Sequence, residues 1–328
     1  MNHSFMAITA ISMAAWAGPG VAQTTLKFAH YAETAHPAHV AAIQFATNVE
    51  KRTAGQIKIQ IFPANQLGNP GEILQQTKLG VVDFAIPTQG QLDKYDKAFA
   101  AVMMPFAFSS LQEAHKVLDG PVMEWLQPLA EKQGFKLLAN WEWGFRHITN
   151  SKVPVNVPAD VKGLKIRVPP EVQLEATMEA LGAQVTKIAF PELYLALSQG
   201  VVDGQENPIA VIHSIKLWEV QKHIALTGHS YNNAILVMNT TKFGTLSVEH
   251  KKIVTEEAVS AGQLMRKLAA DNETSQLVEL QAKGMVLTRP ETASFRAAMD
   301  PAIKKIAAYA GEENVKRFTE ILLKARTN

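Results

Sequence analysis

The chain contains no cysteine. That excludes disulfides, zinc ribbons, thiol nucleophiles and iron–sulfur clusters as sources of stability or chemistry. It has no lysine- and arginine-rich block, and its formal net charge is only +2 over 328 residues, so nothing marks it as a binder of nucleic acid. Beyond the N-terminal stretch no run is apolar enough to cross a bilayer. Enzyme signatures are missing too: there is no GxSxG elbow, no HExxH, and no glycine-rich phosphate loop that would imply a nucleotide. What remains is a globular composition, 47% hydrophobic and 19% charged, long enough for two domains with separate cores.

The first residues carry the apolar run FMAITAISMAAWAG, then GPGVAQ, in which Val21 and Ala22 offer a small-x-small end for cleavage after Ala22. Its leading segment has His3 but no lysine or arginine. The run is shorter than the ~20 residues a membrane span needs, so residues 1–22 read as a cleaved signal peptide and the mature chain as soluble and exported.

From residue 25 the pattern gives a strand (LKFAH), a helix over about 36–53, the alternating strand IKIQIF, a helix over about 71–78 closed by Gly80, and the strand VVDFAI. Helix, glycine cap and buried strand in succession indicate an α/β fold. The same phrase returns. Phe62-Pro63 leads into a helix that ends at GVVD, residues 80–83, and Phe190-Pro191 leads into one that ends at GVVD, residues 200–203. Two lobes built on one plan would produce this echo, while the unequal spacing excludes a tandem repeat. Residues 247–283 lack proline and hold one glycine, Gly262, with Ile253, Val259, Leu264, Leu268 and Leu277 at roughly helical spacing. A continuous helix of ~37 residues would measure about 55 Å, long enough to lie across both lobes. A last amphipathic helix is expected over about 315–324.

Four polar clusters could carry function. HYAETAHPAH places His30, Glu33, His36 and His39 close in sequence, but the spacing matches no established zinc pattern. The alternative is that His36 and Pro37 open the first helix, whose free N–H groups and positive dipole end suit a polar or anionic ligand. NWEWGFRHITN sets Trp141, Trp143 and Phe145 beside Arg146, which reads either as a core strand with an edge arginine or as the aromatic wall of a ligand cleft. In GVVDGQENP, Gln205, Glu206 and Asn207 follow a buried strand, and ligands of open α/β sheets bind beyond the carboxyl ends of strands. GLKIRVPP places Arg167 in an apolar strand ending in two prolines, where a charge either faces solvent or has a partner.

Together GLKIRVP, FPELYLALSQGVVDGQENP, GFRHITN and AHYAETAHP resemble the DctP-like solute-binding proteins of tripartite ATP-independent periplasmic (TRAP) transporters. The resemblance covers nearly the whole mature chain, and the GLKxRxP and GxxDGQENP pair is highly specific. It implies a two-lobed α/β periplasmic solute-binding fold with hinge strands and a long helix spanning both lobes. Such a protein closes on an organic acid in the periplasm and delivers it to TRAP membrane subunits, without enzymatic activity, cofactor or nucleotide, and no metal ligand is assigned among the expected site residues. The lobes are expected at residues 23–144 with 233–272 and at residues 145–232 with 273–328. By motif, Arg167 would pair with the ligand carboxylate, and Arg146 and Asn207 would be additional contacts. A guanidinium suits that role because its parallel N–H donors meet both carboxylate oxygens at once.

The rest of the expected lining comprises His30, Glu33, His36, Gln89, Trp141, Glu142 and Asn232. Glu33 and Glu142 would accept hydroxyl hydrogen bonds and repel a second carboxylate, and Trp141 would cover the apolar face of a sugar ring. That favours a sugar acid such as glucuronate or galacturonate. The alternatives are a C4-dicarboxylate, an aromatic 2-oxo or hydroxy acid, or, in a different class, an exported metal-dependent enzyme using His30, Glu33 and His36.

Overall fold

The computed structural model describes residues 23–327, so the expected signal peptide lies outside the described residues. Nine strands form one mixed sheet: β1 (Thr24–Ala29), β2 (Ile57–Phe62), β3 (Phe84–Ala85), β4 (Phe135–Asn150), β5 (Lys165–Val168), β6 (Gln184–Lys187), β7 (Gly204–Asn207), β8 (His223–Asn239) and β9 (Val286–Thr288). Their order is β2-β1-β3-β8-β4-β7-β5-β6, with β9 paired to β8. The two ends of the sheet are built alike. β1 lies between parallel β2 and β3, and β5 lies between parallel β6 and β7. β3 then pairs antiparallel with β8, and β7 with β4, so each half is joined to the long strand of the other half. The long strands pair with each other along the middle and are the connections that cross between the halves.

The repeated GVVD phrase has a structural counterpart. The Asp83 carboxylate accepts the backbone N–H of Lys27 at 2.7 Å, and the Asp203 carboxylate accepts that of Lys165 at 2.9 Å. The backbone bonds are reciprocated, Asp83 N–H to the Lys27 carbonyl and Asp203 N–H to the Lys165 carbonyl. Each aspartate thereby fixes the register of the strand that follows it against the first strand of its half. In that register Ala29 of β1 faces Ala85 and Arg167 of β5 faces Gln205, so Arg167 stands where the first half carries an alanine.

The first helix runs Pro37–Arg52 with His36 as its N-cap, the His36 ring accepting the Ala38 N–H at 3.1 Å. The second, Pro70–Leu79, opens on a capping box of Asn69 and Glu72 and closes at Gly80, whose φ of +75° is the left-handed conformation glycine adopts without a Cβ penalty. The long helix is Val248–Ala282, 35 residues capped by Ser247, or about 52 Å at 1.5 Å per residue. Its first half packs Val254, Ala258, Ala261 and Met265 into the core around Phe28, Phe45 and Trp141. Its end packs Leu277 and Leu280 with Ile209, Ile212 and Ile224 of the other half. Gly262 permits this: a Cβ there would lie 2.8 Å from the Asn140 carbonyl and 2.9 Å from the Trp141 ring. No helix among the described residues is long and apolar enough to cross a membrane.

The tail divides between two cores. Its last helix, Glu312–Thr327, buries Phe318 and Leu322 in the core that holds Phe108, Phe135 and Tyr231. The preceding segment, with Phe295, Met299 and Ile306, packs instead with Ile148, Ile166 and Leu174.

Candidate functional site

A cavity of about 730 Å³ opens between the two halves, at the carboxyl ends of β1, β5 and β7. Tyr31, Thr88, Gln91 and the N-terminus of the helix Pro70–Leu79 line it from the first half. Arg146, Arg167, Glu171, Phe190 and Asn207 line it from the second. Of the expected site residues it unites Arg167, Arg146 and Asn207.

The two arginines are in different states. Arg146, on β4, donates through Nε and Nη2 to both oxygens of the Glu206 carboxylate, the Nη2 bond measuring 2.8 Å. Its Nη1 donates to Asn232 Oδ1 at 2.8 Å, and its Nη2 also reaches the Glu206 carbonyl at 2.7 Å and Asn207 Oδ1 at 3.1 Å. Burial opposes its charge, but the adjacent Glu206 carboxylate outweighs that and holds Arg146 above its ordinary value. Glu206 is likewise buried and held below the usual carboxylate range by Arg146 and by the ring of His229 at 3.2 Å. This is a closed ion pair.

Arg167 has no such partner among the described residues. It is 1% exposed, its Nε donates to the Ile188 carbonyl at 2.8 Å, and its Nη2 is buried without a hydrogen-bond acceptor. Burial, reinforced by the repulsion of Arg146, lowers its pKa to about 10 despite the field of Glu206. Pro169 and Pro170 follow after Val168 and restrict the backbone, so the fork is held in place before anything binds. An oriented, desolvated and unpaired guanidinium on a cavity wall can pair with a carboxylate through two parallel hydrogen bonds.

The other expected residues lie elsewhere. Asn232 orients Arg146 from β8 and does not line the cavity. Trp141 is fully buried in the core, its Nε1 donating to the Ala258 carbonyl of the long helix at 3.0 Å. Glu142 points to the opposite side of β4, where Tyr231 donates to it at 3.0 Å and His115 also contacts it. Gln89 is fully buried with both amide atoms unpartnered, and its neighbour Gln91 takes the lining position. His30 contacts His39 at 3.2 Å beside a minor void, and burial lowers its pKa to about 3. His36 is occupied in capping the first helix and is lowered by burial to about 3 as well. Glu33 lines a separate opening with Asn65 and Tyr194. Among the described residues no group of three or more His, Asp or Glu could hold a metal ion, so His30, Glu33 and His36 do not assemble the site a metal enzyme would need.

The aromatic wall is also reassigned. Tyr31 and Phe190 meet edge to face at 5.4 Å across the cavity lining, and Trp143 stacks on Tyr31 at 5.1 Å from behind. Burial and then Glu171 hold the Tyr31 phenol protonated, as a hydrogen-bond donor. Tyr31, Thr88, Gln91 and Glu171 were not anticipated. Glu171 sits one residue beyond GLKIRVPP, and Tyr31 lies within HYAETAHP, so both were adjacent to segments already singled out.

Trp141→Phe provides a check on this division. It should cost about 1–3 kcal/mol of stability by deleting the indole bond to the Ala258 carbonyl and leaving a gap against the long helix, read from the urea midpoint. Ligand affinity measured by titration should stay within about threefold of wild type.

Comparison with known proteins places these features in a family. A chain of 41% identity over 259 residues is the uncharacterised protein y4mM of Sinorhizobium fredii, the match covering 79% of this chain and 48% of that one, so this chain spans about half its length. The 2,3-diketo-L-gulonate-binding periplasmic protein YiaO of Escherichia coli is 33% identical over 89% of both chains. A TRAP periplasmic solute-binding protein of Polaromonas sp. JS666, solved with bound D-erythronate, superposes with a TM-score of 0.87 at 36% identity, covering 92% of this chain and 98% of that one. The sequence model of bacterial extracellular solute-binding protein family 7, DctP, matches residues 28–309, and the chain belongs to this family of TRAP solute-binding proteins.

Proposed function

We propose that the protein captures a hydroxylated organic monocarboxylate, a sugar acid, in the periplasm and hands it to the membrane subunits of a TRAP transporter. Arg167 carries the reading: it is the cavity's buried guanidinium with a free fork, and Arg146 is already neutralised by Glu206. One free buried cation calls for one carboxylate. Tyr31, Thr88, Gln91 and Asn207 supply the hydroxyl and amide groups that sort the remainder of the ligand. The argument for uronates from Glu33 and Glu142 falls away, because neither lines the cavity. Uronates and aldonates remain together as one class, supported by the D-erythronate and 2,3-diketo-L-gulonate named for two relatives.

Binding across the cavity would favour closure of one half on the other. Under this reading the first lobe comprises residues 23–144, 233–272 and 312–327, and the second the remainder. The ligand leaves chemically unchanged, and no nucleotide takes part. Thermal unfolding of the ligand-stripped protein against aldonates, uronates, C4-dicarboxylates and aromatic 2-oxo acids tests this. A ligand at about a hundred times its dissociation constant stabilises the native state by ~2.7 kcal/mol. Stabilisation by sugar acids is expected, and a shift with succinate or an aromatic acid alone would overturn the class.

A further inference from the structure

Glu171 is a buried acid in the cavity wall without a cationic hydrogen-bond partner among the described residues. It is 1% exposed; Thr88 Oγ1, from the other half of the protein, donates to Oε1 at 2.9 Å, and Oε2 has no partner. Gly90 makes the position possible, since a Cβ there would lie 2.1 Å from Oε2. The groups that face the carboxyl come from every surrounding element: Asp93 on the turn after Thr88, Tyr31 beyond β1, Arg146 on β4, Arg167 on β5 and Glu206 on β7. Lys94 is exposed at the cavity rim.

Because Arg146 is spent on Glu206, and Asp93 is bound to Gln173 outside the lining, the buried charge on the cavity wall depends on two groups. With Glu171 ionised, Arg167 and Glu171 cancel. With Glu171 neutral, the cavity carries a single positive charge, the complement of one carboxylate. A second ligand carboxylate would be an uncompensated buried charge. We propose that Glu171 sets the charge this cavity admits: when a ligand carboxylate sits on Arg167, Glu171 is held as the neutral acid, one proton enters from solvent with the ligand, and dicarboxylates are disfavoured. The inference rests on the organic-acid reading given above.

Burial raises the Glu171 pKa to about 7, against the pull of Arg146 and with Asp93 and Glu206 adding to the rise. A ligand anion beside it raises it further. The bound form therefore holds the proton at a pH where the free form has lost it. Affinity is flat below about pH 7 and falls above it, approaching tenfold per pH unit.

The test is titration calorimetry with D-erythronate, galacturonate and succinate from about pH 6 to about pH 9, in buffers of different ionisation enthalpy. Wild type should take up a proton on binding a monocarboxylate above neutrality and lose affinity as the pH rises. Glu171→Gln should bind with no proton uptake and a flat pH profile, and should keep the preference for monocarboxylate over succinate, because the amide leaves the cavity with the same single positive charge as the neutral acid. Proton uptake is measured on wild type, so the claim stands or falls even if the variant does not fold. Acid binding without proton uptake, or an unchanged pH profile in Glu171→Gln, would overturn the role of Glu171 alone. If none of the acids binds wild type, the organic-acid reading falls and this inference with it.

Discussion

Arg167→Met abolishes capture of the organic acid without lowering the unfolding temperature of the ligand-free protein. Binding should weaken by more than about a hundredfold, because the ligand carboxylate would enter a buried site with no charge to meet it, a cost of about 3–5 kcal/mol. The stability half of the prediction follows from the same geometry. Burial already holds the Arg167 pKa down at about 10, so the charged guanidinium is a burden on the fold. Methionine removes that burden while keeping most of the side-chain volume, at the cost of the bond to the Ile188 carbonyl. Lysine is no substitute, since one ammonium cannot reproduce the planar fork. Calorimetry and thermal unfolding of the same preparations read both halves.

Arg146→Ala should show the opposite signature. It leaves Glu206, fully buried on β7, without its bidentate partner and strands the acceptors of Asn207 and Asn232. Removing one member of a buried pair costs about 3–5 kcal/mol, so the melting temperature should fall whether or not ligand is present. Replacing the pair together, Arg146→Met with Glu206→Leu, should recover much of that loss, because no lone charge then remains buried. Equal stability of Arg146→Ala and wild type would show that the pair does not hold the cavity wall. The two arginines are thus separable by experiment: Arg167→Met is expected to lose binding and keep stability, and Arg146→Ala to lose stability with or without ligand.

The repeat was legible because its aspartates do the same local work twice, and the long helix because nothing in residues 247–283 interrupts it. The side-chain directions along NWEWGFRHITN were not. Simple alternation would put Trp141, Trp143 and Phe145 on one face, but β4 carries register shifts between Leu137 and Ala139, Glu142 and Gly144, and Arg146 and Ile148. Each shift re-aims the residues that follow. Trp141 consequently meets the long helix, Phe145 meets Tyr231, and Glu142 turns away from the cavity. The state of the arginines was equally hidden, since it depends on antiparallel pairing of β4 with β7 and β8, strands distant in sequence. Glu171 had a local signal: a carboxyl held by two prolines four residues after the motif arginine.

The central claim is that a single free guanidinium selects a carboxylate. The most direct measurement is calorimetric titration of the ligand-stripped protein with a matched pair, D-erythronate and erythritol, which share a four-carbon polyol chain but differ in the carboxylate. Saturable binding of the acid is expected, with a loss of about a hundredfold or more for the alcohol. Binding of erythritol as tight as that of erythronate would contradict it, because recognition would then run through the hydroxyls and leave Arg167 without a role.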